Sequence, residues 1–336
     1  MDLIQNLYNA FEGDEVEKTP VGTNNSAPIA EVMDQINVHY PEAHAEVEPM
    51  VKMALMAHEY AGFETITTPF DMTLEAEAMG CVVDLKSGID SPEIKEVPFD
   101  SIEDVDIDDD FLNQGRFPVL EKALVRIREE CDTVPIICCS VGPFTILGQL
   151  IGVEELLKLI NTDYGAVEDA LDVVVDASCE EMKMISEWDV DAINMADPSS
   201  GPDLLPPDTF EDLVQPAFET VSEDMGYHSV LHVCGNTTPI IEYMLDCGFS
   251  AISVEDAVDI NFIHEQQEEV ESDTKIFGNI STSQSLFNGT PEDVAAEVKV
   301  ALDKKVDILA PSCGVPAKSP LTNLQAMVKA RDDYFA

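Results

Sequence analysis

Residues 247–257, CGFSAISVEDA, contain the pattern that decides the fold. A glycine ends a helical pattern, a short apolar run follows, and the run ends in acidic residues. Glycine tolerates the positive φ that a helix C-cap requires, and a short run that is apolar on both faces is typical of a strand buried in a parallel sheet. The segment therefore predicts the end of a helix, a tight turn and a buried strand.

The same order of elements recurs through the chain, for example at 61–71, 188–198 and 304–314. Eight short apolar runs are predicted to be strands: 20–23, 64–68, 134–140, 191–195, 229–233, 250–254, 275–280 and 306–310. Helical patterns lie between them, and the longest are 42–61, 162–188 and 291–305. Eight strands that alternate with helices predict an α/β fold, a (β/α)8 TIM barrel. A doubly wound open sheet is the alternative.

The domain organisation predicted from the sequence is one barrel over residues 1–336 with a short amphipathic N-terminal helix. No linker rich in Pro, Gly or Ser and no low-complexity tract divides the chain. No strand is followed by G-x-G-x-x-G or by a P-loop sequence, so a dinucleotide or P-loop nucleotide site lacks its motif.

The charge balance is strongly acidic, with 67 acidic and 17 basic residues and a net charge of −50. Such a surface repels nucleic acid and anionic lipid, which excludes binding to either through a basic patch. The acids are spread along the whole chain, which favours a solvated surface suited to a salty, halophilic cytoplasm over an acidic substrate-facing patch. The N-terminus lacks the features of a signal peptide and no apolar run is long enough to span a membrane, so we expect a cytoplasmic protein.

The chain has eight cysteines and shows no secretory signal, which indicates free thiols or metal ligands rather than a disulfide scaffold. Six of them lie in apolar or helical patterns, or at element ends without a partner at ligand spacing, and are predicted to be buried or unreactive thiols: Cys81, Cys131, Cys138, Cys139, Cys179 and Cys247.

The remaining two cysteines, with one histidine, lie where predicted strands end. His232 and Cys234 are one residue apart at the end of the fifth strand, so their side chains point to the same face, and Cys313 follows the eighth strand. One imidazole and two thiolates suit tetrahedral Zn²⁺, and three protein ligands leave the open position of a catalytic site. Glu255, after the sixth strand, would occupy that position until substrate displaces it. The residues alone leave a second interpretation open, a buried His-x-Cys pair and an unrelated core thiol.

Four segments together resemble a known family: 69–81, 140–152, 231–260 and 306–324. They are similar to the zinc-dependent methylcobamide:coenzyme M methyltransferases of methanogenic archaea, a branch of the uroporphyrinogen decarboxylase superfamily. The resemblance extends from about residue 18 to the C-terminus. The H-x-C sequence followed about 80 residues later by a second cysteine is the most specific of its features.

The resemblance implies a (β/α)8 barrel that binds zinc through His232, Cys234 and Cys313, with Glu255 or its neighbour Asp256 as the fourth ligand. The implied reaction moves a methyl group from a methylated corrinoid, carried by a separate small protein, to the thiol of coenzyme M. Methyl-coenzyme M forms and cob(I)amide is left. This reaction belongs to methanogenesis from methylated compounds. A zinc-bound thiol is deprotonated and therefore nucleophilic at neutral pH.

Other residues at predicted strand ends are candidates for the corrinoid or thiol pocket. Asp197 and Asn279 follow the fourth and seventh strands, although each is equally explained as a helix N-cap or turn residue. Coenzyme M carries a sulfonate, and Lys318 or Arg116 would meet it unless backbone N–H groups do.

The sequence also bears on three rival functions, and each lacks a feature that it would require. A porphyrinogen decarboxylase would need arginines near the first strand, and residues 19–28 contain none. A methyltransferase with tetrahydrofolate as acceptor would be expected to lose the thiol ligands, which are all present. A non-catalytic accessory or corrinoid-carrying component would be expected to show D-x-H-x-x-G, and the chain has no such sequence.

Overall fold

A computed structural model describes residues 1–225 and 228–336. The strands are β1 (Ile66–Thr68), β2 (Val82–Asp84), β3 (Glu93–Glu96), β4 (Ile136–Val141), β5 (Ala192–Ala196), β6 (His228–His232), β7 (Ala251–Ser253), β8 (Lys275–Ile280) and β9 (Ile308–Pro311). Seven of them form one parallel sheet in the order β1-β4-β5-β6-β7-β8-β9, and β2 pairs with β3 in a separate antiparallel ribbon.

The helices follow the strands as an alternating α/β chain requires. They are α1 (Leu3–Glu12), α2 (Ala30–Ile36), α3 (Glu42–Ala45), α4 (Val47–Met56), α5 (Leu74–Ala78), α6 (Phe117–Glu130), α7 (Pro143–Ile151), α8 (Val153–Thr162), α9 (Tyr164–Ser186), α10 (Pro207–Thr209), α11 (Gln215–Glu223), α12 (Ile241–Asp246), α13 (Ile260–Val270), α14 (Pro291–Asp303) and α15 (Leu321–Tyr334). None of the helices in the described part of the chain is long and apolar enough to cross a membrane.

Residues 20–23 close the barrel, although they do not form the full strand that the sequence predicts. Val21 makes a single parallel bridge to Leu309 of β9. On the other side, the N–H of Glu64 donates to the Val21 carbonyl at 2.7 Å. The ladder ends there because the N–H of Thr23 donates to the hydroxyl of Thr65 instead of to a backbone carbonyl. The (β/α)8 prediction is therefore confirmed as seven strands and one bridging segment.

The end of the barrel opposite the strand C-termini is filled by an apolar layer and covered by the predicted N-terminal helix. Leu7, Ala10 and Phe11 of α1 pack against seven inward-facing side chains: Ile137, Ala192, Val230, Ala251, Phe277, Ile308 and Ala310. Asp2 caps the helix by accepting from the N–H of Gln5, and Gly13 ends it with a φ of +75°. Because this layer closes the barrel from below, small molecules reach the interior from the opposite end, where the strands terminate.

Local predictions differ in their outcome. Gly62 and Gly248 both have a φ of +82° after helical segments, as predicted. The helix predicted over 42–61 is broken at Glu46, whose extended backbone separates α3 from α4. The β2–β3 ribbon was not predicted, because its residues are mostly exposed and carry no apolar alternation.

All eight cysteines are free thiols, which agrees with the absence of a disulfide scaffold. Four of the six cysteines predicted to be core thiols are buried: Cys81, Cys138, Cys179 and Cys247. Cys131 is half-buried. Cys139 is half-buried and lines a pocket at the open end of the barrel, but burial raises the pKa of its thiol to about 12, which agrees with the prediction of an unreactive thiol.

Candidate metal centre

Three soft side chains meet at the open end of the barrel. His232 is the last residue of β6, Cys234 lies two residues beyond it, and Cys313 lies two residues beyond the end of β9. The ends of parallel strands share one rim, which is why residues 79 positions apart in the sequence become neighbours. One ligand atom from each side chain lies within 4.8 Å of the other two. The convergence expected from the strand ends is present.

The distances within this group are short. The Cys234 Sγ lies 3.5 Å from the Nε2 of His232 and 3.9 Å from the Sγ of Cys313. Two sulfurs and one imidazole nitrogen arranged in this way match the donor set that Zn²⁺ prefers. The residues present therefore fit the metal that the sequence resemblance implies.

The orientation of His232 is set by the neighbouring strand. Its Nδ1 lies 3.0 Å from the hydroxyl and 3.3 Å from the carbonyl of Ser253, the last residue of β7. Donation from Nδ1 to that carbonyl leaves the Nε2 lone pair directed at the two sulfurs. Ligating histidines are usually fixed by such a hydrogen bond on the second ring nitrogen.

The two thiols are electrostatically unequal. Mainly because Cys234 donates a hydrogen bond to it, the pKa of Cys313 falls to about 4, and His232 adds to this effect. The same hydrogen bond is the main reason that the pKa of Cys234 rises well above its usual range. Burial opposes a charge on His232, but the contact with Cys313 raises the pKa of the imidazole. The pair thus keeps one sulfur as a thiolate, the form in which cysteine binds metal.

Glu255 and Asp256 differ in where their carboxylates are held. The Oε1 of Glu255 accepts from the N–H of Gly235, next to Cys234, at 2.7 Å, and burial raises the pKa of this carboxyl. Gly235 has a φ of +85°, a conformation that favours glycine. Asp256 is exposed, and its Oδ1 accepts from the hydroxyl of Ser312 at 3.1 Å. Glu255 is not one of the three converging side chains, but its carboxylate is held next to Cys234. This position favours Glu255 over Asp256 as a fourth ligand.

The side chain of Asn279 binds the backbone of the segment that carries Glu255. Its Nδ2 donates to the carbonyls of Glu255 and Val258 at 3.2 and 3.0 Å. The side chain therefore fixes the loop between β7 and α13, and it does not line the pocket. This is a supporting contact rather than the substrate contact that was considered from the sequence.

A pocket of about 150 Å³ opens beside the three candidate ligands, all of which line it. Asp71 also lines this pocket, and it is 2% exposed as a side chain. Arg116 donates to both of its oxygens, at 2.7 and 3.1 Å, and the Nδ1 of His44 lies 2.9 Å away. Burial alone would raise the pKa of Asp71, but the hydrogen bonds with His44 and Arg116 hold it well below its usual range. The carboxylate is thus ionised and paired with a guanidinium.

The two basic residues considered for the sulfonate do not face the pocket as free cations. The guanidinium of Arg116 donates hydrogen bonds to Asp71 and, from Nε at 2.6 Å, to Glu77. Lys318 is exposed and does not line the pocket. Among the described residues, neither a lysine nor an arginine lines the pocket that holds the three ligands.

Asp197 serves the fold at the end of β5. Its carboxylate accepts from the N–H groups of Phe144 and Thr145 at 3.0 and 3.1 Å and from the Thr145 hydroxyl at 2.5 Å. These are the first N–H groups of α7, so Asp197 caps that helix from a neighbouring strand. A Cβ on Gly142 would lie 2.4 Å from the Asp197 Oδ2, so glycine leaves room for this contact. Asp197 is fully buried and does not line the pocket.

We expect Asp197→Ala to lower the free energy of unfolding by roughly 2 kcal/mol, because it leaves buried donors without an acceptor. Chemical denaturation measures this change. If the chain has the methyl-transfer activity that the sequence resemblance implies, its KM for methylcobalamin should stay unchanged under conditions where the variant is folded. Asp169→Ala, on the exposed face of α9, is the control. A raised KM with unchanged stability would instead indicate that Asp197 contacts the corrinoid.

Sequence reasoning missed three residues that line the pocket: Asn25, Asp71 and Asn194. Asn194 lies on β5, and a polar residue inside an apolar strand was the available signal. Asp71 lies three residues past Thr68, the end of β1, so it follows a strand as Asp197 does. Asn25 follows the bridging segment, so its place depends on how the barrel closes.

Comparisons with known proteins agree with this architecture. The chain matches the model of the uroporphyrinogen decarboxylase (URO-D) family over residues 3–334. It also superimposes on a solved structure described as a methyltransferase from Methanosarcina mazei, with a TM-score of 0.95, 34% identity and coverage of 100% of both chains.

Two similar proteins carry more specific names. The chain is 34% identical over 332 residues to the methylcobamide:CoM methyltransferase MtaA of Methanosarcina barkeri, covering 98% of this chain and 97% of that protein. It is 31% identical over 335 residues to the methylcobamide:CoM methyltransferase MtbA of Methanosarcina acetivorans, with coverage of 98% and 97%. The resemblance noted from the sequence is therefore confirmed.

Proposed function

The chain belongs to the uroporphyrinogen decarboxylase (URO-D) family, and we propose that it transfers a methyl group from a methylated corrinoid protein to the thiol of coenzyme M. The observation that carries the proposal is the convergence of His232, Cys234 and Cys313 within 4.8 Å at the open end of the barrel. The names of the relatives, which are methylcobamide:CoM methyltransferases, support it. A family name alone would not decide the reaction, because one fold hosts many activities.

In this proposal, His232, Cys234 and Cys313 hold Zn²⁺, and Glu255 is poised beside them. When bound, the zinc ion would keep the acceptor thiol deprotonated, which makes its sulfur a good nucleophile. Ser253 fixes His232, and the Gly235 N–H fixes the Glu255 carboxylate. These contacts hold the candidate ligands in place before substrate arrives, which reduces the entropic cost of positioning the reacting groups.

The proposed reaction balances as a nucleophilic displacement. The thiol loses its proton to solvent, and its sulfur forms a bond to the methyl carbon. The bond between carbon and cobalt breaks, and its electron pair stays on cobalt, so that a methylated Co(III) corrinoid becomes cob(I)amide. No further oxidant or reductant is needed. A separate corrinoid-carrying protein would present the methyl group at the mouth of the barrel.

The rival activities are less well supported by this pocket. A porphyrinogen carries several carboxylates, which enzymes pair with arginine. Within residues 1–225 and 228–336, no lysine or arginine lines the pocket, and Arg116, which binds Asp71 of the pocket wall, also binds Glu77. Both thiols are retained, which favours coenzyme M over tetrahydrofolate as acceptor, and a complete donor set argues against a purely accessory role.

The test is an assay of the purified, zinc-loaded chain with methylcobalamin and either coenzyme M or tetrahydrofolate, at low and at molar KCl. We expect cob(I)alamin and methyl-coenzyme M to form with coenzyme M only. The absence of cob(I)alamin with coenzyme M at either salt concentration would overturn the proposal. Formation with tetrahydrofolate alone would establish the rival acceptor.

A further inference from the structure

Two side-chain amides that line the pocket have hydrogen atoms without an acceptor. The Nδ2 of Asn25 and the Nδ2 of Asn194 are both buried and have no hydrogen-bond partner. Asn25 is 9% exposed and Asn194 is fully buried. Leaving a buried donor unpaired is unfavourable, so such groups in a binding pocket indicate an acceptor supplied by a ligand.

Asn194 is held in place by a contact that crosses the barrel. The Nδ2 of Asn24 donates to the Oδ1 of Asn194 at 2.8 Å. Asn24 follows the bridging segment, whereas Asn194 lies on β5, on the far side of the barrel from that segment. This contact leaves the NH₂ of Asn194 free, and it fixes the orientation of the amide above the apolar layer of the barrel.

Asn25 is held by its backbone, so that its side chain is not required for the fold. Its N–H donates to the Thr23 hydroxyl at 3.1 Å, and its carbonyl accepts from the hydroxyls of Thr23 and Thr67 at 2.7 and 3.2 Å. An anchored backbone with a free amide is the arrangement expected of a residue that positions a ligand.

The chemistry of the pocket wall indicates which ligand group these amides would bind. Two neutral NH₂ donors suit a weakly basic oxyanion, which needs hydrogen bonds but no proton. Asp71, the carboxylate among the described residues of the wall, accepts two hydrogen bonds from the guanidinium of Arg116, which limits its repulsion of an anion. A sulfonate has three acceptor oxygens and stays charged at all ordinary pH values.

We propose that the side-chain amides of Asn25 and Asn194 bind the sulfonate of the thiol substrate and so select coenzyme M over thiols without that group. This subsite rests on the proposed function. The three candidate zinc ligands hold the sulfur end of the substrate, and the two amides hold its other end. The selectivity then comes from neutral donors rather than from the lysine or arginine that the sequence suggested.

The variants Asn25→Asp and Asn194→Asp test this subsite, because each keeps the shape of the side chain and replaces its free donor with an oxygen. Asn194→Asp also keeps the oxygen that accepts from Asn24. Steady-state assays with methylcobalamin would compare coenzyme M with 2-mercaptoethanol, which has the same thiol but no sulfonate. We expect the KM for coenzyme M to rise roughly tenfold or more in each variant. The KM for 2-mercaptoethanol, the kcat and the zinc content should change less than about twofold, since the ligands are untouched.

Two further measurements keep the test independent of folding defects. Asn25→Ala removes the donor without adding an oxygen and leaves every backbone contact of that residue in place, so it should raise the same KM. Ethanesulfonate, which has no thiol, should inhibit the wild type competitively against coenzyme M and should inhibit Asn25→Ala weakly. Asn161→Asp, an exposed residue of α8, is the control for added negative charge.

The outcomes separate the subsite from the function. An active wild type whose Asn25 and Asn194 variants keep the full preference for coenzyme M would overturn the subsite alone. A wild type that transfers methyl groups to neither thiol would overturn the proposed function, and the subsite with it. Loss of the preference in all three variants, with unchanged use of 2-mercaptoethanol, would establish the subsite.

Discussion

Replacement of Cys313 by serine is expected to lower the rate of methyl transfer to coenzyme M by more than about a hundredfold. Loss of a residue that only supports a metal ligand already costs roughly 10–100-fold in metal affinity or activity, and loss of a ligand should cost more. A serine hydroxyl in this position is a much harder and less acidic donor than a thiol, and it does not match the preference of Zn²⁺ for thiolate. Cys234→Ser should have an effect of the same size.

The measurement is the initial rate of cob(I)alamin formation from methylcobalamin and coenzyme M, with the variants at equal concentration. Cys131→Ser provides the matched control, because Cys131 is a half-buried free thiol outside the group of three. It should retain nearly the full rate. A Cys313→Ser protein that is as active as Cys131→Ser would show that the thiol of Cys313 is not part of the catalytic site.

Removal of the proposed zinc ion is the second change with a large expected effect. Dialysis against a strong chelator should lower methyl transfer to the level of the reaction without protein, since the acceptor thiol then remains mostly protonated at neutral pH. Added Zn²⁺ should restore the rate, whereas Mg²⁺ should not, because Mg²⁺ prefers oxygen ligands and avoids thiolates.

The fold should survive this treatment. The three candidate ligands lie at the open rim, whereas the apolar layer under α1 and the helices around the barrel form a core that does not include them. Circular dichroism should therefore give the same helix signal before and after chelation. Full activity in a preparation that contains no metal by elemental analysis would contradict the role given to zinc.

Much of the fold follows from the sequence because buried parallel strands are short, apolar and bounded by turn residues. Seven of the eight predicted strands are present, β8 with the predicted bounds and the other six with shifted ends. The helix at Pro291 begins with the N-cap Thr290 in a capping box with Asp293. The segment 20–23 has the same apolar pattern, yet it forms one bridge, because the Thr65 hydroxyl takes the N–H of Thr23. A side-chain hydrogen bond of this kind is not visible in a periodic pattern.

The candidate site could be predicted in part for a related reason. His232, Cys234 and Cys313 belong to residue types that bind zinc, and the barrel topology alone brings the strand ends that carry them together. Asn194 differs from its neighbours only as a polar residue inside an apolar strand, and Asn25 lies among residues that are common at turns. The role of either amide depends on which hydrogen atoms remain unpaired after folding, which the sequence does not show. Asp197 follows a strand as the ligands do, and only its contacts with the first turn of α7 identify it as a cap.

The zinc content of the purified chain, compared with that of Cys313→Ser after dialysis against metal-free buffer, tests the central claim most directly. A catalytic site with three protein ligands predicts about one zinc ion per wild-type chain. We expect Cys131→Ser to retain this amount of zinc and Cys313→Ser to retain well under half of it. Equal zinc in Cys313→Ser and the wild type would contradict the assignment of His232, Cys234 and Cys313 as the metal site.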